Sequence, residues 1–172
     1  MERADFERAD VRGTAEHQAV VAVANALYEH LESPEATALI LDANQPGRSS
    51  AGVQNVFLEH ARDLGFKDES KGLFAGYLSA LRPDYFLPLA GTGIILEVER
   101  GKTTINNMDL LDFWKCHICQ HAHYLILLVP IQLRQNPTMT ARNEFVTVRK
   151  RLATFFEEQN YTNVRGLFLF GY

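Results

Sequence analysis

A chain of 172 residues with a net charge of −4, 47% apolar and 22% charged residues, has the composition of a globular protein built on one core. No apolar run approaches the ~18–20 residues of a bilayer-spanning helix. The charged start, Met1 to Arg12, lacks the apolar stretch of a secretory signal, which makes the cytoplasm the expected compartment. The two cysteines, Cys116 and Cys119, are too few for a disulfide framework. The acidic balance weighs mildly against a nucleic-acid binder, although the distribution of charge decides more than its sum.

The chain reads as a single domain over residues 1–172, with residues 1–12 as a loose tail. Thr14 to Glu32 is expected to be a helix: Val20, Ala24, Leu27, Tyr28 and Leu31 recur at helical spacing, Thr14 is placed to cap it, and Pro34 ends it. Thr37 to Leu41 is a short apolar run suited to a strand. Gln45 to Gly52, rich in Pro, Gly and Ser, reads as a loop. A second helix follows over Val53 to Leu64, closed by Gly65. Leu73 to Ala80, Tyr85 to Leu89 and Ile94 to Glu99 are successive strands, the last the clearest. A helix is expected over Asn106 to Cys119, with Thr104 or Asn106 as its cap. The continuous apolar run from Tyr124 suits a strand buried on both faces. A long helix over Asn143 to Gln159 and a strand over Val164 to Phe170 complete the order. Strands separated by a helix of this length suggest a parallel crossover in a mixed sheet.

The chemistry concentrates in Pro83-Asp84 and in Glu97-Val98-Glu99-Arg100-Gly101-Lys102. Side chains alternate faces along a strand, so Glu97 and Glu99 point one way with Ile95, while Ile94, Leu96 and Val98 point into the core. An amphipathic strand with a wet face would place two glutamates in the same manner. Three features favour a site: the solid apolar lead-in Ile94-Ile95-Leu96, Asp84 a hairpin's length upstream, and the basic residues that follow. Two carboxylates at about 4 Å and an effective dielectric of about 20 repel by roughly 4 kcal/mol. A hard divalent cation relieves that repulsion and retains waters, one of which can act as a nucleophile.

Pro83-Asp84, a spacer and then Glu97-Val98-Glu99 resembles the signature of the PD-(D/E)XK nuclease superfamily, with glutamate in place of the usual lysine. The order of elements from Val53 to Ile131 resembles the common core of that superfamily. The resemblance implies an α/β fold of the restriction endonuclease type, a mixed central sheet flanked by helices in αβββαβ order. It implies a Mg²⁺-dependent endonuclease acting on DNA, with Mn²⁺ as a substitute metal, RNA not excluded, and a homodimer as the working form. By the superfamily pattern Asp84 and Glu97 are metal ligands and the Val98 carbonyl completes the site. Glu99 then binds the metal or orients the attacking water, unless Lys102 supplies the missing ammonium. Glu59, on the helix before the hairpin, is a further metal-ligand candidate, against the plainer reading of a solvated helix face.

Other residues stand further from this reading. A lysine such as Lys115, on the helix after the hairpin, is more often simply exposed. Asp109 and Asp112 share one helix face and read as N-terminal helix charges. Cys116, Cys119, His121 and His123 are zinc-ligand types, but no second distant pair accompanies them. Structural zinc is therefore not favoured, and the cysteines read as small core residues. Arg142, Arg149, Lys150 and Arg151, together with Arg48 in the loop and Arg100, are the candidates for phosphate contact, against the plainer and slightly favoured reading of a solvated helix face for the group on the last helix. The alternative function is a nuclease-fold module without catalysis that binds nucleic acid or a protein.

Overall fold

A computed structural model describes residues 1–68, 82–134, 138 and 140–172. The expected strand Leu73 to Ala80 lies outside the described residues. A six-stranded sheet in the order β1-β8-β5-β4-β3-β2 forms the centre. Its strands are β1 (Glu2–Glu7), β2 (Lys67–Asp68), β3 (Tyr85–Leu89), β4 (Thr92–Val98), β5 (Tyr124–Val129) and β8 (Gly166–Gly171). The strands β4, β5 and β8 are mutually parallel, and antiparallel strands flank them on both sides. The short β6 (Gln132–Leu133) and β7 (Arg142–Asn143) form a separate ribbon.

Helices cover both faces, so the strands at the centre need apolar residues on both sides. Helices α1 (Ala15–Glu32), α2 (Pro34–Ala43) and α3 (Ser50–Asp63) cover one face. There Leu27, Phe57 and Ala61 pack on Ile94, Leu96, Ile126 and Phe168. Helices α4 (Met108–Ile118) and α5 (Glu144–Ala153) cover the other, where Phe113, Cys116 and Val148 pack on Ile95, Leu125, Leu127 and Leu169. The face of β4 that carries Glu97 is therefore as dry as the one opposite.

Several expectations change. The first residues are no loose tail: Glu2–Glu7 pairs residue by residue with Gly166–Gly171. Arg3 anchors that strand by lying over the rings of Tyr28, Phe168 and Phe170, and Phe6 stacks on Phe156. Thr37 to Leu41 is helical, because Ser33 accepts from the Ala36 N–H and Pro34 occupies the first turn, where proline starts a helix. The long C-terminal helix ends at Ala153 and tightens into a 3₁₀ turn over Thr154–Phe156. That turn brings Phe155 onto the Phe113 ring at 4.3 Å. Thr14 caps α1 as expected, accepting from His17 N–H.

The hairpin β3-β4 is tighter than its glycines suggest. Leu89 pairs with Thr92, so only Ala90 and Gly91 turn, with Gly91 at φ 78°. Gly93 lies within β4, where an added Cβ would fall 2.5 Å from the Phe86 ring and 2.7 Å from the His121 carbonyl. No helix among the described residues is long and apolar enough to cross a membrane.

Candidate active site

The hairpin register positions the first two carboxyls. Tyr85 pairs with Leu96, so the next step outward sets Asp84 across from Glu97. The two lock reciprocally: Asp84 N–H donates to Glu97 Oε2 at 3.1 Å, and Val98 N–H donates to Asp84 Oδ2 at 2.9 Å. Gln54, from α3, donates to the same Asp84 oxygen at 3.0 Å. Both acids stand at the C-terminal end of β4, the end of a parallel strand where α/β sheets commonly place their ligands.

Helix α4 is the crossover from β4 to its parallel neighbour β5, and it brings a lysine and a third acid. Lys115 Nζ donates to Glu97 Oε1 at 2.9 Å. It also lies 2.8 Å from Asp112 Oδ1, an ion-pair distance without hydrogen-bond alignment, so both Asp112 oxygens are buried with no well-formed hydrogen bond. Glu97, Asp112 and Lys115 are only 2%, 0% and 8% exposed. Glu99 follows the strand and lines the cleft beyond.

Burial dominates the electrostatics. It raises the pKa of Asp84, Glu97 and Asp112, and Asp112 raises Glu97 further by like-charge repulsion. Glu99 is pushed up to about 8, by burial first and then by Asp112. Burial alone would lower the Lys115 pKa, but Glu97 and Asp112 together raise it. Four carboxyl groups thus share one ammonium in a dry setting, an arrangement that stores unfavourable charge.

The remaining expected residues scatter. Glu59 is exposed on α3, and Gln54 is the residue of that helix that reaches Asp84. The two are five positions apart, which turns them well away from each other around a helix. Lys102 is exposed in the turn after β4, whereas the ammonium at Glu97 belongs to Lys115. Lys115 and Asp112 are not surface residues, because α4 lays Asp109, Asp112, Phe113 and Cys116 on the sheet. A signal for this was present: Asp112 and Cys116 are four apart, so a core assignment for the cysteine carries the aspartate inward too. The defined contribution of Val98 is its N–H.

A cleft of about 520 Å³ opens beside Glu99. Arg48, Arg100, Lys102 and Arg134 supply its basic lining. Arg134 was not foreseen. The Arg100 guanidinium already donates to the carbonyls of Gln45 and Arg48, tying the α2–α3 loop to the end of β4. Arg142 and Arg149 are exposed and do not line the cleft. Arg151 instead clamps the loop before α4, donating to Thr104 O at 3.3 Å and Asn107 Oδ1 at 2.6 Å.

Among the described residues no three His, Cys, Asp or Glu side chains converge to hold a metal ion. Cys116 and Cys119 are buried, and His123 meets Thr92 Oγ1 at 2.9 Å. Mg²⁺ asks for less than three side chains, since one or two carboxylates with several retained waters suffice. Asp84 and Glu97 provide such a pair. The unaligned Asp112 oxygens, and the repulsion by which Asp112 and Asp84 raise the Glu97 pKa, mark crowded negative charge, so the residues fit a hard cation.

No family model matches the chain, and no curated sequence does. Among solved structures it is similar to the restriction endonuclease BglII, solved in complex with a DNA 16-mer, with a TM-score of 0.52 over 99% of this chain and 76% of that one. The fold is that of a restriction endonuclease. Sequence identity is 12%, so the likeness with BglII is one of backbone architecture: a mixed sheet with helices on both faces.

Proposed function

We propose that the chain is a divalent-cation-dependent endonuclease of the PD-(D/E)XK type that hydrolyses phosphodiester bonds in DNA. The observation that carries this reading is the cross-strand pair Asp84–Glu97, joined by Lys115 from the crossover helix, at the C-terminal end of β4. The solved DNA complex of BglII supports DNA over RNA as the substrate. By resemblance to the superfamily alone, the working form is a homodimer.

Asp84 and Glu97 would hold Mg²⁺, or Mn²⁺ in its place. When bound, the ion supplies Lewis-acid stabilisation of phosphate oxygens and lowers the pKa of a bound water. Lys115 fixes Glu97 Oε1 and presents an ammonium toward the charge that develops on the phosphate, in place of Lys102. Gln54 and the Val98 N–H fix Asp84. Glu99 stands between Asp112 and the cleft, placed to orient water. Arg48, Lys102 and Arg134 would receive the phosphodiester backbone.

The test is supercoiled plasmid with Mg²⁺ or Mn²⁺, beside Asp84→Asn and Glu97→Gln. Each variant should lose on the order of 10²–10³-fold in cleavage, the loss expected for removing one preorganised electrostatic group. Mg²⁺ should also raise the melting temperature of the wild type and of neither variant. Cleavage that survives both substitutions overturns the site. The second reading, a module that binds without cutting, is favoured by one observation: Lys115 already pairs with Glu97 and with Asp112. DNA binding with neither cleavage nor a Mg²⁺-dependent melting shift would select it.

A further inference from the structure

A second cavity, of about 740 Å³, opens on the outer flank of α4. Trp114, His117 and Tyr161 stand around it over a base of Phe113 and Phe155. Trp114 and Tyr161 are 46% and 77% exposed, an unusual display for two large aromatic residues. Among the described residues no Asp, Glu, Lys or Arg lines it. Asn106 lines both this cavity and the basic cleft, so the two are neighbours across the start of α4.

The polar atoms in the cavity are directional. Asn163 N–H donates to His117 Nδ1 at 3.2 Å, so the proton of the neutral ring belongs on Nε2. The Trp114 indole N–H is a donor only. No hydrogen bond among the described residues uses either donor. An apolar aromatic base with two N–H donors that no described residue takes up, and no charged lining among the described residues, suits a flat, neutral ring that carries acceptor atoms. The cleft on the other side of Asn106 suits phosphate. Neutral aromatic ring and adjacent phosphate together describe a nucleotide whose base is out of the duplex stack.

We propose that this cavity takes an unpaired nucleobase of a nucleic-acid strand whose phosphates lie in the basic cleft, so that the chain prefers substrates with a single-stranded segment. The inference rests on the nuclease reading only for the polymer in the cleft. Stacking of one base on an aromatic side chain changes affinity by about 5- to 150-fold. A blunt duplex must first unpair and unstack a base to reach the cavity, so it engages the cavity far less readily than a single strand.

Trp114 is the chain's single tryptophan, so its emission reports on this cavity alone. The full chain, held in a chelator so that nothing is cut, is titrated with a dye-labelled oligothymidylate and with a blunt duplex. Dye anisotropy reads affinity on each, and tryptophan emission reads the cavity. The single strand should quench Trp114 and the duplex should not. Tyr161→Ala should weaken single-strand binding about 5- to 150-fold and leave duplex binding unchanged. At 77% exposed, Tyr161 can be replaced without disturbing the core. A single strand that binds without changing Trp114 emission overturns the proposal, as does a Tyr161→Ala variant of undiminished affinity, or a wild type that binds neither probe. Self-association that Tyr161→Ala abolishes also overturns it, by assigning the patch to a contact between copies. Quenching in a chain that never cuts plasmid sinks the nuclease reading and leaves this inference standing; cutting without quenching does the reverse.

Discussion

At the start of β5 and β8, Glu16 sits in a fully answered setting. Arg165 Nη1 lies 2.7 Å from both its oxygens, and the Tyr124 hydroxyl donates to it at 2.8 Å. Burial opposes its charge, yet these partners hold its pKa below the ordinary value. At the other end of the sheet, where β4 finishes, four carboxyl groups surround one lysine and all are raised. Buried polar groups are normally satisfied, and sites that break the rule are where function concentrates. The first cluster fastens α1 to the sheet. The second accepts a cost in stability, and a bound cation is what would repay it.

Three experiments bear on that contrast. The largest effect is expected from Lys115→Met, which strips from Glu97 and Asp112 the one ammonium that pairs with them among the described residues. Breaking a buried pair on one side costs about 3–5 kcal/mol, or roughly 6–20 °C in melting temperature for a domain of this size. A shift within a degree or two by circular dichroism would mean that the carboxyl groups need no counter-charge.

At the satisfied end, Arg165→Met should cost about 1–2 kcal/mol, because the pair is only partly buried. It should leave plasmid cleavage and the Mg²⁺-dependent melting shift untouched. Loss of either would join the two clusters that we treat as separate.

The third experiment follows the pH dependence of stability. Glu99 has a folded pKa of about 8 against an ordinary 4.5, so the folded state binds the proton more tightly. Its contribution is complete at acid pH and is lost as pH rises through about 8. Glu16, held low, gives the opposite slope: its contribution is present at neutral pH and fades as pH falls through its folded value. Melting curves from pH 5 to 9 should therefore show a decline that runs from about pH 5 to about 8 and then levels, and that Glu99→Gln flattens. An unchanged decline in that variant would place the titration elsewhere.

The sheet's central strands were legible in the sequence because they are buried on both faces, and continuous runs such as Tyr124 to Val129 carry that fact in composition alone. That Asp84 and Glu97 belong to one hairpin was legible from strand alternation and spacing, but the register that sets them opposite each other came from the two-residue turn, where a four-residue break over Ala90 to Gly93 was expected. The edge strand β1 was not. Its charged residues look like a tail, and only the antiparallel ladder with β8 and the rings under Arg3 make them structure. Helix α2 was mistaken for a strand because a run as short as Thr37 to Leu41 has no decisive period, and Ser33 with Pro34 settled it.

What the sequence determined by itself is a set of local commitments: the Thr14 cap, alternating faces, and two carboxyl groups brought to one hairpin. The third acid and the ammonium were decided by tertiary structure. Asp112 and Lys115 lie on a helix whose rotation about its own axis is fixed by Phe113 and Cys116 packing on the sheet, and that rotation is a property of the packed layers. The basic cleft was decided in the same way. Arg48 comes from the α2–α3 loop, Lys102 from the turn after β4 and Arg134 from beyond β6, distant positions in sequence that only the folded sheet brings to one wall.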